Sequence, residues 1–144
     1  MTDTAARKCA FAAPITTGRA ACSAAVEVVR RGGAEYDCDR ADAHARCLGL
    51  IGGLKQAGLA AFGVEDDLTQ TPHSVLVKIQ TGGLVGLRRL LDAGSDSDAP
   101  VADVAVLAEQ VVAAYGGAAE IPFGAAADAM LACRLERRGR RSAR

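Results

Sequence analysis

At 144 residues the chain has the length of one domain and is long enough to bury a core without staples. Half of it is apolar, but only three Phe, two Tyr and no Trp are present, so the core must consist of small aliphatics on closely packed, mostly helical elements. Seventeen basic and seventeen acidic residues give a formal net charge of zero, which excludes a global field drawing the chain to nucleic acid or to an anionic membrane.

In chain order, residues 1–17 read as an irregular leader. It lacks the apolar core of a secretory signal. No later stretch approaches the roughly 18 consecutive apolar residues of a membrane span. Both features place the chain in the cytoplasm, where cysteines stay reduced and serve as ligands or catalysts more often than as disulfides. Lysine occurs only at Lys8, Lys55 and Lys78 against many arginines, a bias of GC-rich, bacterial genomes.

GRAACSAAVEVVRR reads as a first helix, stopping at Gly32–Gly33 and carrying Cys22, Ala25, Val26 and Val29 on one face. A second helix is expected from Asp39 or Asp42 to Gly58, with His44, Cys47, Leu48, Ile51 and Leu54 on one face. Residues 59–71 read as a loop, and Thr71–Pro72 as the N-cap and first position of a third helix. That helix has a possible short strand near 74–80 and a kink or break at Gly82–Gly83. VADVAVLAEQVVAAYGG is a further amphipathic helix ending at Gly116, followed by AEIPFGAAADAMLACRLERR. The expected architecture is all-α, a bundle of four to five helices over residues 1–133. Residues 134–144 follow as a basic, disordered tail with six arginines.

The distinctive chemistry lies in the first third, where Cys9, Cys22, Cys38 and Cys47 follow the spacing C-x12-C-x15-C-x8-C. No CxxC knuckle is present, so the argument for a shared site is geometric. If the first two helices formed an antiparallel hairpin, Cys22 would lie about 13 Å from the connecting end and Cys47 about 8–12 Å. Their sulfurs would then face each other at similar heights. Cys38 in the link and Cys9 on the leader are free to close the set. Cys38 and Cys47 are expected near a helix N-terminus, which favours a thiolate. His44, one turn before Cys47, is a possible additional ligand or a hydrogen-bond donor to sulfur. Cys133 reads as a core residue, and as the substitute ligand should Cys9 be unavailable.

All-thiolate sets select iron–sulfur clusters or zinc, and wide spacing on helices favours the cluster first and zinc second. The expected function is therefore a small iron–sulfur protein for electron transfer, or one accessory to a redox enzyme, working with a protein redox partner. A non-catalytic interaction or regulatory protein with buried structural cysteines is the alternative, since free cysteine behaves as a small hydrophobe. A thiol redox sensor is the third reading. No acid–base pair or substrate pocket suggests an enzyme. The acidic run Glu65–Asp66–Asp67 reads as a solvated loop, and His73 has no catalytic partner at a recognisable spacing. TGGLVG lacks the Lys and Ser/Thr of a phosphate loop. The arginine tail has no aromatics for base stacking, so nucleic acid is not an expected partner.

Overall fold

The run Ala25–Arg30 carries three valines, and β-branched side chains fit a pleated backbone better than a helix. In the computed structural model, which describes residues 7–63, 73–95 and 99–134, this run is strand β1. It pairs antiparallel with β2 (Gly33–Cys38) across the two-residue loop Arg31–Gly32. Gly33 has φ +117°, a conformation that strongly favours glycine, so the Gly pair turns a hairpin where it was expected to stop a helix. The all-α expectation is thereby corrected to a mostly helical chain with a two-stranded sheet.

Hydrogen bonding extends the sheet by one short segment. Lys8 bridges Asp37, flanked by Cys9 N–H donating to Tyr36 O at 3.0 Å and Cys38 N–H donating to Arg7 O at 2.7 Å. The strand period of two then sorts the side chains. Cys9, Tyr36, Cys38 and Ala25 share one face. Lys8, Asp37, Glu35 and Arg30 share the other, where Arg30 bonds Asp37 at 2.6 Å and Glu35 at 2.8 Å.

After the short helix α1 (Ala12–Thr16), residues 19–21 run beside the residues preceding a later helix. Ala20 bridges Val101 in parallel, and Val104 N–H donates to Ala21 O at 2.8 Å. Helix α2 (Ala41–Ala61) begins where expected and continues past Gly58. Helix α3 (His73–Leu91) is helical throughout, so residues 74–80 are not a strand and Gly82–Gly83 makes no break. The reason is close packing. A Cβ at Gly82 would lie 2.5 Å from the Met130 Cα, and one at Gly83 would lie 2.8 Å from Leu54 Cδ1.

Helix α4 (Val104–Tyr115) is capped by Asp103 at its start and ends on Gly116 with φ +82°. The last stretch breaks into 3-10 turns Ala118–Glu120 and Phe123–Ala126 before helix α5 (Ala127–Ala132). Phe11, Leu50, Leu54, Ile79, Leu87, Val104, Val111 and Met130 are fully buried between these helices. No helix among the described residues is long and apolar enough to cross a membrane. The arginine tail beyond Arg134, Glu65–Asp67 and Thr71–Pro72 lie outside the described residues.

Candidate functional site: a four-cysteine cleft

Cys9, Cys22, Cys38 and Cys47 all line one pocket, although each comes from a different segment. The segment of residues 7–10 is a strap laid along β2, and it carries Cys9. Cys22 sits in the loop before β1, Cys38 at the end of β2, and Cys47 in the second turn of α2. The expected helical hairpin does not exist, since Cys22 is not on a helix. The sheet supplies the convergence in its place. Cys9 and Cys38 share a face by strand period, and Ala25, opposite Cys38, joins them as a wall.

The Cys22 loop is pinned from two sides. Ala25 N–H donates to Cys22 O at 3.1 Å, closing a tight turn. Ser23 N–H donates to Asp103 Oδ1 at 3.1 Å, and the same oxygen accepts from Ala105 N–H at 3.1 Å. Asp103 thus fastens the loop to the start of α4, whose Val104 and Ala105 form the pocket floor. Burial works against its charge, yet the bonds from Ser23, Ala105 and Val106 prevail and hold the carboxyl below its usual range. Amphipathic periodicity ran α4 through VAD and did not single out the cap, although an Asp ahead of VAVLAEQ is the signal that could have found it. The tie from Asp103 to Ser23, eighty residues away, was not legible.

Cys47 continues the buried stripe Ala43, Leu50 and Leu54 on α2. The helix N-terminus does not make it a thiolate. Burial first, then repulsion from Cys9, Cys22 and Cys38, pushes its thiol up to about 12, with Arg46 opposing. Cys9 is also raised, chiefly by burial, although a backbone bond from Phe11 opposes the shift and the charges of Cys22, Cys38 and Asp37 add to it. The Cys38 thiol donates to Arg40 O at 3.2 Å, and Arg7 Nε donates to Cys38 O at 3.1 Å. His44 lines the same pocket, with Nε2 at 3.1 Å from Lys8 O. Cys133 does not line it. It is buried beside Arg19 and Lys78, and burial raises its thiol against the pull of both cations.

All five cysteines are free thiols. The cleft is small, with about 10 Å³ open to a water centre, close to the space one water needs. Among the described residues, no group of three or more His, Cys, Asp or Glu side chains is spaced to hold a single metal ion. The sequence TGGLVG lies within α3 and is buried from Thr81 to Gly86, which removes it as a phosphate loop. No protein-family model matches the chain, and no characterised protein or solved structure matches it significantly.

Proposed function

We propose that the cleft is a thiolate site for a polynuclear metal group, an iron–sulfur cluster, and that the protein carries electrons or serves a redox enzyme as an accessory. The observation that carries this reading is the convergence of Cys9, Cys22, Cys38 and Cys47 from four segments onto one pocket. Incidental core cysteines have no reason to gather, and Cys133 shows what an isolated one looks like. The preference for a cluster over zinc rests on the ligand pattern in the chain, since zinc sites usually take paired CxxC ligands on tight turns and none is present here. The small cavity means that its walls must move outward on loading.

The donor chemistry agrees. Cys9 and Cys47 are held neutral first by burial and then by repulsion from the neighbouring sulfurs. A cationic core would remove that repulsion, and loading would release protons. When bound, a cluster supplies one-electron chemistry. Cys9, Cys22, Cys38 and Cys47 would hold it, while Ala10, Ala25, Ala43, Val104 and Ala105 would exclude water and thereby set its potential.

Burial favours a second reading, in which the cysteines only pack. Cys9, Cys22 and Cys47 lie against the hydrophobic core. Anaerobic purification separates the two. Absorption between about 300 and 450 nm with iron and sulfide in the protein supports the cluster. Zinc with no colour selects the mononuclear site, and a folded, colourless, metal-free chain after reconstitution leaves the packing reading. Alanine at each of the five cysteines should abolish the chromophore at Cys9, Cys22, Cys38 and Cys47 and spare it at Cys133.

A further inference from the structure

His44 was expected as an additional ligand or as a hydrogen-bond donor to a sulfur, and its hydrogen bond gives it a further role. A carbonyl oxygen only accepts, so Nε2, at 3.1 Å from Lys8 O, carries the proton of that bond. That nitrogen has no lone pair to offer a metal, while Nδ1 keeps one, so the bond adds a role beside ligation and does not remove it. We infer that His44 is a positioning residue: it latches the strap bearing Cys9 onto α2, the helix bearing Cys47. The purpose of the latch rests on the four-cysteine reading, whereas the latch itself belongs to the metal-free protein.

The placement supports this assignment from both sides. On the strap, Lys8 is the residue before Cys9, so a bond to its carbonyl fixes the backbone from which that sulfur projects. Among the described residues, the strap's other hydrogen bonds run to β2, through Cys9 N–H to Tyr36 O, Cys38 N–H to Arg7 O and Arg7 Nε to Cys38 O. Phe11, fully buried, anchors the chain just beyond. On α2, His44 lies three residues before Cys47, on the same face, and its own N–H donates to Arg40 O at 3.0 Å. The imidazole is therefore held by a formed helical turn. Without it, Cys9 would be held near Cys47 only by packing and by the Phe11 anchor two residues on.

The test uses the full, reduced, metal-free chain and iodoacetamide, with alkylation read at each cysteine by peptide mass spectrometry. His44→Ala should speed Cys9 alkylation about five- to tenfold, the range expected for loss of one neutral hydrogen bond. His44→Gln, whose amide N–H can reach the same carbonyl, should restore most of the protection. Cys133 should be unchanged in both. If His44→Ala proves unable to fold, His44→Met, similar in length and without a donor, replaces it in the comparison with His44→Gln. An unchanged Cys9 rate overturns the latch, and so does an equal rise at all five cysteines, which would report general loosening. Iron and sulfide analysis of the wild-type chain is read separately. Failure to take up a cluster would sink the four-cysteine reading while the alkylation contrast still decides the latch.

Discussion

At Cys47 burial and the neighbouring sulfurs act in one direction, and the consequence is a stability that depends on alkaline pH. The unfolded thiol ionises near its ordinary value of 9.0, whereas the folded one waits until about 12. Between those values the unfolded state has released a proton that the folded state retains. Stability of the metal-free protein is therefore complete below about 9 and falls as pH rises toward 12. The slope from this residue approaches at most about 1.4 kcal/mol per pH unit, reduced by solvent screening because the thiol is only partly buried. Cys47→Ser, whose hydroxyl does not titrate in this range, should flatten that part of the curve. Urea unfolding of both proteins at several pH values between 8 and 11 checks it, and parallel curves would contradict it. The same residue shows what single positions in the sequence reveal. Helical period placed it on one face with Ile51 and Leu54, which are buried, although Leu48, expected on that face, is exposed and Ala43 and Leu50 are buried in its place. The ionisation of Cys47 was not legible, because that depends on burial by the folded chain and on three sulfurs brought in from other segments.

Elements were legible where their periodicity was unopposed. The second, third and fourth expected helices exist near their expected limits, and Asp103 and Gly116 bound α4 as cap residues should. The first expected helix failed because Ala-rich flanks suggested one period while Val26, Val28 and Val29 prefer the other; two consecutive glycines suit a helix stop and a hairpin turn equally. At Gly82 the error ran the opposite way, since a poor helix former was kept for packing against Met130 and Ala129. Gly82→Ala should therefore destabilise by about 1–3 kcal/mol, since the new methyl would strike backbone atoms. Helix propensity alone predicts a gain of about 1 kcal/mol, so the sign of the change in urea midpoint decides between the two. Asp103→Ala tests another element boundary. Loss of the cap should cost about 1–2 kcal/mol and also free Ser23, with Cys22 becoming faster to alkylate. Because the Asp103 carboxyl titrates below 3.8 when folded, its contribution is complete above that value and is lost as pH falls through the folded pKa. The difference between wild type and variant should narrow accordingly in acid.

Over the whole molecule, the cysteines lie where a lightly attached sheet meets a well-packed helical body. Helix α3 packs against α5, α4 and the turn at Phe123–Ala126, whereas among the described residues β1 pairs closely with β2 alone and β2 otherwise lies near α1 and α2. Val29, in the hairpin, is 81% exposed. A two-stranded hairpin of this kind is marginal by itself. It is held to the body by the strap, by the Cys22 loop beside Val101–Val104, and by the chain entering α2. The first two attachments are invisible in local sequence, since each joins residues far apart along the chain. Each of the three also carries or adjoins one of the four cysteines. A group bound by all four would cross-link the strap, the hairpin and α2, and would do so at the weakest junction of the fold. In the metal-free protein the amides of β1 and β2 should exchange with solvent well before those of α3 and α4. Iron and sulfide loading should slow exchange across residues 25–38 by at least about tenfold while leaving α3 and α5 little changed, since binding energy appears as stability only where opening breaks the site. Hydrogen exchange on the loaded and unloaded chain, resolved by peptide, measures this directly. Protection spread evenly over all helices would mean that the group stabilises the fold from another position, and unchanged exchange in the hairpin would mean that Cys22 and Cys38 do not hold it.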